Sequence, residues 1–136
     1  MLNQYLKEIR STSIQKDSMR FRRNIERIGE IMAVEISREL TYKEETVKTP
    51  LGVAPVQVVH EPIVLGTILR AGLPFHQGFL NMYDNAENAF LSAYRRAVVG
   101  RNGKETLEIV SEYLAAPRLE GKTLLLVDPM LATGMS

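Results

Sequence analysis

The sequence predicts an α/β domain, in which a parallel sheet is flanked by helices and carries an antiparallel hairpin arm. Residues 17–40 have apolar side chains at helical spacing. Two short runs, Ile63–Leu69 and Lys122–Val127, are apolar almost throughout, which is typical of strands buried on both faces. Between two further β-rich runs lies Asn102-Gly103, a dipeptide that strongly favours a hairpin turn. Together these observations indicate a single α/β domain over residues 1–136.

Composition excludes several classes of protein. With 136 residues, the chain has the length of one globular domain. Its 17 Lys and Arg nearly balance 16 Asp and Glu, so a general nucleic-acid binder is not expected. It has no Cys, which excludes disulfides and thiolate metal sites. The longest apolar-rich stretch, residues 63–73, contains Arg70 and is far shorter than the roughly 20 residues that span a bilayer. Without a signal peptide, the chain is expected to be soluble and cytoplasmic, with no membrane partner.

Residues 17–40 form the longest predicted helix and lead the domain. Its apolar face consists of residues at steps of three and four: Phe21, Ile25, Ile28, Met32 and Ile36. Asp17 or Ser18 is placed to cap the first turn. Arg22 and Glu26 lie four residues apart, the spacing of a helical ion pair. The basic face is expected to be solvated.

The middle of the chain alternates short strands with one helix. Val56–His60 and Ile63–Leu69 are strand-like in length and β-branched content. Pro74 suits the first turn of a helix that carries Phe75, Phe79, Leu80 and Tyr83. Ala89–Tyr94 is predicted as another buried strand, followed by the hairpin arm at residues 96–110.

The last segment carries the clearest chemistry. Asp128 follows a buried strand, and open α/β sheets bind ligands where their strands end. The loop behind it contains Thr133, Gly134 and Ser136, which can offer backbone N–H groups and hydroxyls to a phosphate. A carboxylate for sugar hydroxyls beside a phosphate loop indicates a ribose phosphate ligand. These residues alone leave open a simpler interpretation, in which Asp128 only ends a strand at a turn.

Asp128–Ser136, with the sequence DPMLATGMS, resembles the phosphoribosyl-pyrophosphate signature of type I phosphoribosyltransferases, in the variant typical of uracil phosphoribosyltransferases. Further segments are similar to the same family in the same order: Phe21–Glu35 to its leading helix, Thr49–Gly52 to its TPLG segment, Ile68–Leu73 to its ILRAGL loop, and Ser92–Arg95 to its second arginine segment.

The resemblance implies a fold and a set of substrate contacts. Asp128 would accept hydrogen bonds from the ribose hydroxyls, and Arg70 and Arg95 would bind the diphosphate. The implied phosphoribosyl-pyrophosphate contacts are Arg70, Ala71, Gly72, Arg95, Asp128, Pro129, Met130, Leu131, Ala132, Thr133, Gly134, Met135 and Ser136. No protein nucleophile is implied. Mg²⁺ is the implied cofactor, held mainly by the substrate and not by protein ligands.

Arg101 is a second candidate for the role given to Arg95, and Met135 departs from the family pattern. Arg101-Asn102 also imitates the family's Tyr-Arg-Asn, but Arg95 is preferred because Tyr94 precedes it at the end of a strand-like run. Met135 stands where a small residue is common, and its side chain is tolerated if the backbone there needs no positive φ.

The resemblance implies synthesis of UMP from uracil and phosphoribosyl pyrophosphate in pyrimidine salvage. It further implies GTP as an activator and a homodimer or homotetramer. Two alternatives stay open: another phosphoribosyltransferase or pyrimidine regulator of this fold, and a non-catalytic fragment. The second rests on the end of the chain at Ser136, after which the family continues with a helix and further strands. The 136-residue chain alone is therefore expected to be unstable and inactive.

Overall fold

The structure is a computed structural model that describes residues 1–99 and 105–130, of which 94–99 and 105–112 are described by backbone and strand pairing alone. Its elements, in chain order, are α1 (Leu2–Arg10), α2 (Ser18–Ser37), β1 (Tyr42–Thr49), β2 (Gly52–Val59), β3 (Ile63–Leu69), α3 (Leu73–Leu80), β4 (Glu87–Val99), β5 (Glu105–Ala115) and β6 (Thr123–Val127).

Four of the strands form a mixed sheet in the order β5-β4-β3-β6. The strand β3 pairs in parallel with β4 on one side and with β6 on the other. The strands β4 and β5 pair antiparallel, and β1 and β2 form a separate two-stranded antiparallel sheet. This architecture confirms the predicted α/β class with its hairpin arm. The sequence placed β3 correctly at Ile63–Leu69, and β6 begins one residue later than predicted.

The three helices share one core with one face of the sheet. This core joins Ile25 and Ile28 of α2, Phe75 and Phe79 of α3, and strand residues Ile63, Leu65 and Val127. On the opposite face, Leu124 and Leu126 are 43% and 65% exposed. The sequence predicts helices that flank the sheet. Within the described ranges, the helices cover one of its two faces.

The leading helix is confirmed, with shorter limits than the predicted residues 17–40. Asp17 caps α2, since its Oδ1 accepts a hydrogen bond from the backbone N–H of Arg20 at 3.0 Å. Arg22 and Glu26 have the spacing of a helical ion pair, but in the structure Glu26 pairs with Arg23.

Glycine allows α2 and α3 to pack closely. A Cβ placed on Gly78 would lie 2.1 Å from the carbonyl oxygen of Glu26, far inside van der Waals contact. The helix α3 is also tied to the sheet, because the buried ring of His76 is hydrogen-bonded through Nε2 to Asn88 Oδ1 at 2.7 Å. These contacts fix the start of α3, and with it the loop that joins β3 to α3.

Several elements were missed or misplaced by the sequence reasoning. The helix α1 and the strand β1 were not predicted, and β2 begins at Gly52 instead of Val56. The arm is longer than residues 96–110, because antiparallel pairing already begins at Phe90 and Ala115. The predicted turn at Gly100–Lys104 lies outside the described residues. Over the described part of the chain, no helix has the combined length and hydropathy that crossing a membrane requires.

Candidate functional site

Two loops meet at one edge of the sheet. Arg70 follows the last residue of β3, and Asp128 follows the last residue of β6. Because β3 and β6 are parallel neighbours, with Thr67 opposite Val127, both loops leave the sheet at its carboxyl edge. The hydroxyl of Thr67 donates a hydrogen bond to the carbonyl of Val127 at 3.0 Å, which ties the two strands together directly below the loops.

The loop from Arg70 to Gly72 is tight and presents its first two residues to solvent. The N–H of Gly72 donates to the carbonyl of Ile68 at 3.2 Å, and the Leu69–Arg70 peptide bond is cis. Gly72 itself is buried, and a Cβ there would lie 2.1 Å from Thr67 Oγ1. Only glycine fits this approach, which leaves Arg70 and Ala71 exposed at the edge.

Asp128 begins the second loop as a half-buried carboxylate. Its Oδ1 accepts a hydrogen bond from the backbone N–H of Met130 at 3.2 Å, which turns the chain after β6. An ionised carboxylate has further acceptor capacity for the hydroxyls of a sugar. The structure thus brings together five predicted contacts: Arg70, Ala71, Asp128, Pro129 and Met130. The remaining phosphate-loop contacts, Leu131, Ala132, Thr133, Gly134, Met135 and Ser136, lie outside the described residues.

Arg95 occupies a different position from the one predicted. The strand β4 does not end at Tyr94 but continues to Val99, and Arg95 pairs with Ile109 within the arm. Since Ser92 is opposite Leu69 at the end of β3, the backbone of Arg95 lies three residues, or roughly 10 Å, farther along the strand direction. Arg95 is thus on the arm beyond the carboxyl edge, and its rival Arg101 lies outside the described residues.

A cavity of about 820 Å³ adjoins the two loops. Arg70, Ala71, Pro129 and Met130 line one side of it, and the other side is formed by α1, by α2 and by their connection. The sequence reasoning missed the polar residues of that second side: Arg10, Gln15 and Arg22. No motif marked them, because only tertiary packing brings the N-terminal residues to the sheet edge. Among the described side chains, in residues 1–93 and 113–130, no group of three or more His, Asp or Glu is arranged to hold a metal ion.

The fold, with Arg70 and Asp128 on neighbouring loops at the carboxyl edge of a parallel sheet, defines an α/β domain of the phosphoribosyltransferase class. The family model described as uracil phosphoribosyltransferase matches residues 1–136. The chain belongs to the uracil phosphoribosyltransferase family.

Individual relatives agree with this assignment. A uracil phosphoribosyltransferase from Porphyromonas gingivalis is 52% identical over 136 residues, which are 100% of this chain and 61% of that protein. One from Methanothermobacter thermautotrophicus is 38% identical over 120 residues, covering 87% of this chain and 53% of that protein. Among solved structures, the AQ2163 protein from Aquifex aeolicus superposes with a TM-score of 0.72 at 28% identity, over 98% of this chain and 58% of that one. The chain therefore spans about three fifths of the length of the relative from Porphyromonas.

Proposed function

We propose that the protein is a uracil phosphoribosyltransferase, which converts uracil and phosphoribosyl pyrophosphate to UMP and pyrophosphate. The observation that carries this proposal is the juxtaposition of Arg70 and Asp128 on neighbouring loops, in a chain that matches the family over its whole length. At this sheet edge, the Arg70 cation suits the diphosphate of phosphoribosyl pyrophosphate, and the Asp128 carboxylate suits its ribose.

In the proposed reaction, N1 of uracil attacks the anomeric carbon, the bond from that carbon to the diphosphate oxygen breaks, and the N1 proton is lost. Asp128 orients the ribose by accepting hydrogen bonds from its hydroxyls. Arg70 binds the diphosphate, and Arg95, whose backbone lies on the arm, is proposed as a second cation for it. Because negative charge grows on the leaving diphosphate, these cations stabilise the transition state more than the ground state. This chemistry needs orientation and electrostatics, without a protein nucleophile.

Mg²⁺ fits this site as an ion carried by the substrate. Among the described residues of the two loops, Asp128 carries the one carboxylate. Mg²⁺ commonly keeps several waters and binds phosphate oxygens, so it needs few ligands from the protein. Bound in that way, the ion would neutralise charge on the diphosphate.

The arm is proposed as the contact between subunits of a homodimer or homotetramer. Tyr113 and Leu114, near the end of β5, are 55% and 70% exposed. The two side chains point to opposite faces of β5, and each is an exposed apolar group on the edge strand of the sheet, a position that suits burial against a second copy. Sedimentation equilibrium with the Leu114→Glu variant tests this contact, and the variant is expected to be monomeric where the wild type is not.

Conversion of labelled uracil to UMP, with phosphoribosyl pyrophosphate and Mg²⁺, tests the proposed reaction. In contrast to the inactivity that the sequence alone led us to expect, the proposal requires wild-type protein and Arg38→Gln to be equally active, because Arg38 pairs with Glu35 at the far end of α2. Arg70→Gln is expected to lose at least tenfold in kcat/KM, since hydrogen bonds from a charged donor are worth about 1.5–3 kcal/mol. Transfer to hypoxanthine or orotate in place of uracil would assign a different phosphoribosyltransferase, and no transfer to any base would contradict the proposal.

A further inference from the structure

Two further arginines, one from α1 and one from α2, face the same cavity as the Arg70 loop. Arg10 is the last residue of α1, and Arg22 lies in the second turn of α2. Both line the cavity of about 820 Å³ that Arg70 and Ala71 also line. Three guanidinium-bearing residues from three separate parts of the chain therefore surround one space.

Unlike Arg20 and Arg23 of α2, these three arginines form no salt bridge with an Asp or Glu among the side chains that the structure describes, in residues 1–93 and 113–130. Arg20 pairs with Glu8 and Asp17, and Arg23 pairs with Glu26. Arg27 donates a hydrogen bond to Asn24. Among the same described side chains, no Asp or Glu lines the cavity of Arg10, Arg22 and Arg70. The cavity is thus cationic without internal neutralisation.

The walls of the cavity strengthen the effect of its charges. Apolar side chains from α2, from the start of α3 and from the Asp128 loop form much of the lining: Phe21, Ile25, Leu73, Pro74 and Met130. Low-polarity walls reduce screening, so like charges gathered among them raise the local positive potential and attract an anion. The volume is large enough for a substrate with more than one phosphate group.

We propose that Arg10 and Arg22 bind the diphosphate of phosphoribosyl pyrophosphate together with Arg70. This inference rests on the proposed function and extends its site to the N-terminal helices. A diphosphate carries more negative charge than Arg70 alone neutralises, and guanidinium groups match phosphate oxygens in geometry as well as charge. Because the added residues come from α1 and α2, the N-terminal segment becomes part of the substrate site and not only of the core.

Calorimetric titration of the purified protein with inorganic pyrophosphate and Mg²⁺, and separately with phosphoribosyl pyrophosphate, tests the assignment. Arg10→Gln and Arg22→Gln are each expected to weaken both affinities by about tenfold or more. Arg22→Lys is expected to give an intermediate affinity because it keeps the charge and loses the fork. Arg38→Gln, at the C-cap of α2 and paired with Glu35, is the control and is expected to bind like wild type. Unfolding temperatures of all four variants are expected to match wild type, because these side chains are exposed.

The outcomes separate this inference from the proposed function. Wild-type affinity in both Arg10→Gln and Arg22→Gln, with affinity lost only in Arg70→Gln, would overturn the inference and leave the proposed reaction standing. Weakened pyrophosphate binding in both variants of a protein that forms no UMP would support the diphosphate site and overturn the proposed reaction. No binding of either probe by wild type would contradict both.

Discussion

The hydroxyl of Thr67 donates a hydrogen bond to the carbonyl of Val127, 3.0 Å away, and so joins the two strands that carry the loops of the site. Thr67 is only 1% exposed, and it lies three residues before Arg70. Val127 lies directly before Asp128. This buried hydrogen bond adds to the parallel pairing of β3 with β6 at the point where the residue proposed for the diphosphate and the residue proposed for the ribose leave the sheet.

Thr67→Val is expected to lower the free energy of unfolding by about 1–2 kcal/mol, because it removes a buried donor without changing the side-chain volume much. It is also expected to weaken binding of phosphoribosyl pyrophosphate, since the two loops lose their common anchor. Urea denaturation and calorimetric titration measure the two effects. Thr12→Val, at an exposed position, is the control. Unchanged stability and affinity in Thr67→Val would show that strand pairing alone sets the spacing of the loops.

Gly72→Ala is expected to be damaging at the same place. The new Cβ would lie 2.1 Å from Thr67 Oγ1 and 2.7 Å from the carbonyl oxygen of Ile68, so the Arg70 loop has to move. Overpacking of this kind costs about 1–3 kcal/mol, and we expect affinity for pyrophosphate to fall with stability. Thermal unfolding and pyrophosphate titration check this result. Ala71→Gly, one residue earlier at an exposed position, is expected to keep most of the affinity. A Gly72→Ala protein with wild-type stability would contradict the close approach.

The parts of the fold that the sequence predicted are those in which local pattern and tertiary role agree. Ile63–Leu69 is apolar on both faces, as a central parallel strand must be, and α2 has both helical periodicity and the Asp17 cap. Arg70 and Asp128 were predictable because each directly follows an apolar run that forms a strand. The prediction that the second run is buried on both faces was wrong, because Leu124 and Leu126 of β6 are exposed. The family resemblance then supplied the roles, which the residues alone had left open.

The sequence-based predictions failed for the elements whose structure is determined by tertiary packing and not by local pattern. The residues of β1 are almost all exposed, so no alternation of buried and exposed residues marks them as a strand. The hairpin arm was predicted, but its first strand is continuous with β4, because β5 pairs with that strand from Phe90 to Val99. Arg10 and Arg22 reach the site only through the packing of α1 and α2 near the sheet edge, which one sequence does not show.

Gly78→Ala is expected to destabilise the protein by separating α2 from α3. A Cβ at this position would lie 2.1 Å from the carbonyl oxygen of Glu26 and 2.9 Å from the backbone nitrogen of Glu30, neither of which can rotate away. We expect a loss of about 1–3 kcal/mol in the free energy of unfolding, measured by urea denaturation. Gln77→Ala, on the exposed side of the same helix, is the control. A more stable Gly78→Ala protein would mean that helix propensity outweighs the contact between the helices.

Glu61 is expected to make stability depend on pH in the acid range. Hydrogen bonds from the Thr123 hydroxyl and from the Thr41 backbone N–H hold the pKa of the Glu61 carboxyl below its ordinary value of 4.5. A carboxyl whose pKa is lower in the folded state contributes stability that is fully present above its unfolded pKa and is lost as the pH falls through its folded pKa.

Wild type is therefore expected to lose unfolding free energy more steeply than Glu61→Gln as the pH falls below about 4.5. Urea denaturation at a series of pH values from 7 to 3 measures the two slopes, with Glu39→Gln at an exposed position as the control. Equal slopes for wild type and Glu61→Gln would show that these hydrogen bonds do not favour the ionised carboxylate.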